Sequence, residues 1–410
     1  SIQNLLQVYL PKDKIQEFQA MIFSRLEKKA DDIILVELLQ WTYIQSKDFT
    51  NALRQSKALD KRLNENGSRP MYISNIAANE RQYKVAIEGY QYVKTLGPTG
   101  PYFMEALRQI LICRRKTIIE NKNYTLADLT ALETDYDLFQ QEFKVNRLSA
   151  SILIEYAELE ARYLNNLPKA IEILNSLVQN PAIDPLTKAK AKLDLGDYYL
   201  ITGERWEASL LYSQVDKDFL EDEIGEYARY KNARLSYFSG DFNWAQEQFD
   251  ILKQATSRLI SNDAIDMSVF ILDNLNQDTL GLALSAYSKA ELKMFQNQYK
   301  KALMDLDSIL IDYPKNSLED DVYYLEAKIY NQLQMRDSAI SKYNYIVTNH
   351  KEEIRADNAL FEMAQIYDYQ LEDKEKAKLL YEKLFLEFSG STLAVESRLR
   401  FRKLRGDDVQ

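Results

Sequence analysis

The sequence predicts an all-α chain made by repeating one helix–turn–helix unit, and three observations predict it. The stretch "LDLGDYYLITGERWEASLLY" from Leu193 to Tyr212 returns as "ARLSYFSGDFNWAQEQF" from Ala233. Gly196, Gly203, Ala208 and Tyr212 are answered, 37 residues on, by Ala233, Gly240, Ala245 and Phe249. The pair Ala208/Tyr212, small then large four residues later, is part of a longer series: Ala52/Ser56, Ala86/Tyr90, Ala170/Leu174, Ala245/Phe249, Ala302/Leu306, Ala339/Tyr343 and Ala377/Tyr381. Successive alanines lie 34, 84, 38, 37, 57, 37 and 38 residues apart, and five of these seven intervals share one period. Finally, 410 residues carry only 11 Gly and 8 Pro with 46% apolar residues, a composition for folded helix rather than loop or disorder.

Residues 1–32 read as partial N-terminal repeat helices, with "SIQNLLQVYL" an amphipathic helix expected to belong to a larger array. Residues 33–100 hold two repeats. Val36, Leu39 and Tyr43 share one stripe of a first helix, "QSKD" is the turn, and Ser56 makes the Ala52 pair degenerate. Residues 101–150 stay helical but lack the small-to-large signature, so a divergent helical pair is expected, with Thr125 as an N-cap. Residues 151–259 hold three repeats, with the turns "ITGE" and "FSGD". The 57-residue interval predicts an inserted helix and linker over 260–282, written "NDAIDMSVFILDNL". Residues 283–390 hold three more repeats, turning at "FQNQ" and "LQMR". Residues 391–410 read as a C-terminal capping helix and tail, since the end of a stacked array needs a polar outer face.

Small residues let two helices cross closely, and the aromatic fills the space beyond. The order Leu195, Gly196, Tyr199, Ala208, Tyr212, with Pro98 and Pro314 closing other units, resembles the tetratricopeptide repeat of about 34 residues. That resemblance covers roughly three quarters of the chain. It implies a right-handed α-solenoid superhelix whose first helices line a concave groove. The links "DYPKNS" and "EFSGST" are similar to those of bacterial envelope repeat proteins; Tyr313, Pro314 and Ser317 fit, while Phe388 and Ser389 replace the Tyr–Pro pair. The whole chain resembles envelope tetratricopeptide repeat proteins of Bacteroidota, which implies a periplasmic or outer-membrane location, with a cytoplasmic one as the alternative.

Several functions are disfavoured. A net charge of −10 argues against nucleic acid as the main partner, because phosphate binding needs a cationic face. No apolar run is long enough for a transmembrane segment. One cysteine, Cys113, and one histidine, His350, leave too few ligands for a zinc or iron site, and no phosphate-cradling or hydrolase motif occurs. The chain is therefore expected to need no cofactor or metal and not to be an enzyme. The acidic stretches "LEDDVYY" and "FLEDEIGE" read as solvated helix starts, and His350 as a helix end. Trp206 and Trp244 read as packing between repeats, with sugar or peptide stacking the alternative. The cluster Arg398, Arg400, Arg402, Lys403 and Arg405 suits the last turn of a helix, and could also touch acidic lipid or a partner.

Repeat register nominates the candidate site. Three residues before the small position of each first helix stand Leu193, Tyr230, Tyr287, Tyr324 and Phe361; one residue after it stand Asp197, Arg234, Glu291, Lys328 and Gln365. With Tyr237, these rows form the expected partner-binding set: Tyr230, Arg234, Tyr237, Tyr287, Glu291, Tyr324, Lys328, Phe361 and Gln365. Tyrosine gives large contact area with few rotatable bonds, which suits recognition of a protein or extended peptide. The alternative for the polar row is an internal ladder, Asp197 with Arg234 and Glu291 with Lys328. The family's carboxylate-clamping mode finds Asn75 but has Met71 where lysine is needed. The expected function is a non-catalytic protein-binding scaffold or adaptor, possible as part of an envelope complex; glycan binding at the outer membrane is the second reading.

Overall fold

The computed structural model describes residues 6, 9–29, 32–121, 124–277, 280–314 and 316–407. Among them are 21 α-helices and no strand. The fold class is all-α, a helical-repeat array of the α-solenoid kind, as the periodicity predicts. Most of "SIQNLLQVYL", Thr279 and the tail 408–410 lie outside the described residues. No described helix is long and apolar enough to cross a membrane.

Each repeat folds by the same local chemistry. The eight marker alanines are wholly buried, and so are Ser56, Tyr90, Leu174, Tyr212, Phe249, Leu306, Tyr343 and Tyr381 four residues on. Five residues before each alanine the chain reverses through positive φ: Lys47, Arg81, Asn165, Gly203, Gly240, Asn297, Gln334 and Glu372. A left-handed residue ends the first helix and turns the chain into the second. Asp48, Asn166, Asp241 and Asp373 then cap the second helix, accepting hydrogen bonds from Asn51, Lys169, Trp244 and Lys376 backbone N–H groups. All eight units, the degenerate Ala52 unit included, share this turn. Gly196 shows why a small residue is needed: a Cβ there would stand 2.5 Å from the Tyr212 ring.

The chain divides into two compact units, Ser1–Ala191 and Lys192–Gln410. The first contains α1 (Ile15–Leu26), α2 (Ile33–Gln45), α3 (Phe49–Leu63), α4 (Ser68–Asn79), α5 (Tyr83–Thr95), α6 (Phe103–Asn121), α7 (Leu126–Phe143), α8 (Ala150–Arg162) and α9 (Leu167–Gln179), and the start of α10 (Pro185–Thr202). The divergent pair α6 and α7 is long, and Thr125 caps α7 in a reciprocal capping box with Asp128. Tyr136 of α7 stacks on Tyr156 of α8 at 5.0 Å, so aromatic packing replaces the missing small-to-large pair. Lys169 ties α9 to this region through Glu133 at 2.8 Å and buried Glu160 at 2.9 Å.

The second unit continues with α11 (Arg205–Asp218), α12 (Glu223–Phe238), α13 (Phe242–Leu252), α14 (Arg258–Gln277), α15 (Leu282–Phe295), α16 (Tyr299–Asp312), α17 (Glu319–Gln332), α18 (Arg336–Asn349), α19 (Arg355–Gln365), α20 (Lys374–Glu387) and α21 (Ala394–Arg405). Helix α14 is the insertion. It is 20 residues long, longer than the stretch expected, and 57 minus 20 restores the 37-residue period. A π-helical turn, Ile366–Gln370, extends α19 and buries Asp368, which Lys374 binds at 2.7 Å. Helix α21 covers the last repeat, with Phe401 packed on Phe385. His350 is the C-cap of α18, as expected.

One expectation holds only in part and another fails. The acidic helix starts are solvated at Glu221, Asp222 and Glu223, but Asp320, Asp321 and Glu226 are buried. Glu226 accepts hydrogen bonds from the Thr256 N–H at 2.8 Å and hydroxyl at 3.0 Å, so it clamps the α13–α14 connection. Trp206 does not pack between repeats; it is 86% exposed near the start of α11, while Trp244 is 37% exposed.

Candidate functional site

The aromatic row is first of all a packing device. Tyr230 meets Phe249, Tyr324 meets Tyr343 and Phe361 meets Tyr381, with centroids 5.7, 5.6 and 5.8 Å apart and interplanar angles of 58°, 61° and 61°. Each first-helix aromatic thus sets its ring edge-on to the large residue of its own second helix, a geometry that an aliphatic side chain cannot supply. Tyr287 has Leu306 in that place and turns to Phe270 of α14 at 5.5 Å, its hydroxyl donating to the Asp321 backbone carbonyl at 3.4 Å.

The first part of the polar row is paired, in a different register from the ladder expected. Asp197 accepts from the Tyr212 hydroxyl and from Lys231 Nζ, both at 2.7 Å, rather than from Arg234. Arg234 reaches forward to Glu291 at 3.2 Å, joining α12 to α15 across the insertion. No Glu291–Lys328 ion pair forms. The physical reason is reach: Lys231 lies nearly one turn before Arg234 and faces Asp197, while the Arg234 guanidinium spans forward. In the first unit Asn75 likewise accepts from the Tyr90 hydroxyl at 2.7 Å and Met71 is buried, so both serve the core.

Helix α14 lies over the first part of the rows. Phe270 packs against Tyr237 and Tyr287, and the Arg355 guanidinium lies 5.7 Å above the same ring. Tyr237 is fully buried, and its hydroxyl sits beside Glu291 without the geometry of a hydrogen bond. Burial raises its pKa well above the usual tyrosine range; Tyr230 is pushed up to about 12 by burial, opposed by Arg234. Asp263 of α14 has its carboxyl raised by burial and by Asp266, with Arg234 opposing.

Beyond α14 a charged step joins α17 to α19. Arg355 Nε binds Asp321 Oδ1 at 2.5 Å and also stacks over Tyr324 at 5.2 Å. Burial raises the carboxyl pKa of Asp321, with Arg355 opposing. Asp320 is pushed up to about 7 by burial and then by the charges of Asp321 and Glu353.

The next part of the face is open. Lys328 is exposed, has no ion-pair partner among the described residues, and holds Nζ 5.7 Å from the Tyr324 centroid. Glu362 is half-buried, and desolvation raises its carboxyl pKa against the pull of Lys328. The Tyr343 hydroxyl, directed toward Tyr324 and Glu362, and the Asn331 side-chain oxygen make no hydrogen bond. Gln365 stands one turn beyond Phe361, which the Arg400 guanidinium partly covers. This step offers an uncommitted donor (Lys328), an acceptor (Glu362) and an amide, Gln365, that is both, while the Tyr343 hydroxyl and Asn331 oxygen stay buried.

Of the nine nominated residues, then, Tyr230, Arg234, Tyr237, Tyr287 and Glu291 gather under or beside α14, while Tyr324, Lys328, Phe361 and Gln365 gather at α17–α19. Asn331, Tyr343 and Glu362 were not nominated. Glu362 follows Phe361 in sequence, but Asn331 and Tyr343 carry no local signal. A separate cleft of about 440 Å³ opens between α18, α19 and α20, lined by Ile340, Met363, Tyr367 and Leu379. Of the basic cluster, Arg400 pairs with Glu396, and Arg402 and Arg405 with Asp407.

The chain is an all-α helical-repeat protein, and its repeat unit resembles the tetratricopeptide repeat. No family model matches it, and no curated protein does. Among solved structures it is similar to a tetratricopeptide repeat protein from Parabacteroides merdae ATCC 43184, at 14% identity and a TM-score of 0.40, covering 68% of this chain and 91% of that one. It is also similar to the human IFIT1 dimer with m7Gppp-AAAA, at 12% identity and a TM-score of 0.32, covering 99% of this chain and 89% of that one.

Proposed function

We propose that the chain is a non-catalytic scaffold that binds an extended segment of a partner protein at the α17–α19 step, in a bacterial cell envelope. The observation that carries this reading is the set of polar groups left uncommitted there. Exposed Lys328 has no ion-pair partner among the described residues, and half-buried Glu362 and Gln365 stand on the facing helix, so this surface has polar groups that a ligand can pair. A peptide backbone alternates donors and acceptors and satisfies such a set; the partly exposed Tyr324 ring adds contact area. The net charge of −10 disfavours a nucleic acid in this role.

A glycan is the second reading, and a different place favours it: the exposed indole of Trp206 on α11 presents a flat ring on which a sugar can stack. A pull-down from envelope extract set beside a glycan array separates the two. Lys328→Ala with Gln365→Ala is expected to weaken capture of a protein by at least roughly tenfold, while Trp206→Ala leaves it unchanged. Glycan binding abolished by Trp206→Ala, with no protein captured, supports the second reading instead.

A further inference from the structure

Helix α14 has the anchor pattern of a helical ligand. Ile260, Ala264, Ser268, Ile271 and Asn274 are buried along it at steps of four, four, three and three, a single helical stripe. Phe270 adds an aromatic anchor whose ring meets Tyr237, Tyr287 and the Arg355 guanidinium. Asn274 ends the stripe by accepting from the Ser317 hydroxyl at 2.7 Å. Helices that dock in grooves of other proteins use such ladders of anchors.

The repeats on either side also touch each other directly. Arg234 of α12 binds Glu291 of α15 directly, and removing 20 residues restores the 37-residue period. The seam beneath α14 is also unusually polar for a core. Ser268, Asn274 and Asp263 lie in it, and the Tyr237 hydroxyl is buried there without a hydrogen bond. Ser268 and Asn274 have protein partners that water can replace, and the Tyr237 hydroxyl and Asp263 carboxyl gain hydration on release, which lowers the cost of opening below that of an apolar seam.

We propose that α14 is a built-in ligand: an amphipathic helix seated on α12, α13 and α15 that leaves as a unit. Its release uncovers Tyr237, Tyr287 and the Arg355 guanidinium as a site for an amphipathic helix of a partner with an aromatic anchor. The α17–α19 step is a different place, so this inference does not depend on what binds there.

Two measurements on the full chain test it. In hydrogen exchange of the wild-type protein, α14 amides should exchange at least roughly tenfold faster than those of α12 and α15. Exchange of all three as one unit overturns the proposal. In the second, a fluorescent synthetic peptide of residues 256–277 is the probe, titrated against wild type and Phe270→Ala. The variant should bind the peptide at least roughly tenfold more tightly than wild type, because its own helix no longer holds the site. Equal binding overturns the proposal. So does a Phe270→Ala chain in which α12 and α15 also lose protection, since the helix then belongs to the core.

Discussion

Replacing Gly196 by alanine should destabilise the second unit, although alanine is the better helix former. The change itself is worth about 1 kcal/mol in favour of the helix. Against it stands geometry. The new Cβ would lie 2.5 Å from one carbon of the Tyr212 ring and 3.0 Å from two others, where carbon contacts settle near 3.5–4.0 Å. The ring is 1% exposed and its hydroxyl is tied to Asp197, itself held by Lys231, so it has nowhere to move. Overpacking of this kind costs about 1–3 kcal/mol, and loss of the bond to a charged acceptor adds about 1.5–3 kcal/mol if the ring slides. The expected net loss is about 2 kcal/mol, read as a lower urea midpoint and a melting temperature lower by roughly 4–8 °C. In a Tyr212→Leu background the obstacle is gone, and Gly196→Ala should become neutral or stabilising. A Gly196→Ala chain more stable than wild type, with Tyr212 in place, would refute the close-crossing argument.

Turn chemistry gives a paired test: Glu372→Gly at φ 56° should stabilise by up to about 1 kcal/mol, and Gly203→Ala at φ 96° should destabilise by about the same, in urea unfolding. Asp320 gives a pH test. Its carboxyl pKa is raised to about 7 in the fold, so the native state holds the proton more tightly than the unfolded chain. Its contribution is therefore fully present below pH 4 and is lost as pH rises through about 7. Asp320→Asn, which stays neutral, should gain about 1–3 kcal/mol relative to wild type between pH 5 and pH 8, and a difference that does not change with pH contradicts this. In Trp206→Ala, urea stability should stay within about 0.5 kcal/mol of wild type, because the indole is exposed.

What was legible in the sequence was volume. Ala208 and Tyr212, Ala245 and Phe249 repeat because a close crossing beside a filled space constrains size at fixed intervals, and no other arrangement of helices needs that pattern. The left-handed turns were legible only where glycine marks them, at Gly203 and Gly240. Lys47, Arg81, Gln334 and Glu372 take the same conformation because the two packed helices impose it, so their identity carries no signal. The site was half legible. Register brought Tyr324, Lys328, Phe361 and Gln365 to one step, but could not say that α14 lies over Tyr237 and Tyr287. An insertion is visible as a lapse in period; where it packs depends on contacts up to tens of residues away. Nor could local pattern distinguish a solvated acidic helix start from Asp321, whose Arg355 partner lies 34 residues on.

The most direct test of the binding claim places a photo-reactive amino acid in turn at positions 328, 365, 291 and 206 and irradiates the protein in envelope extract. Cross-links to one protein from 328 and 365, absent at 206 and lost from 328 when Glu362→Lys is added, are the predicted result. Cross-links to that protein from 206 alone, or from none of the four, contradict recognition at the α17–α19 step.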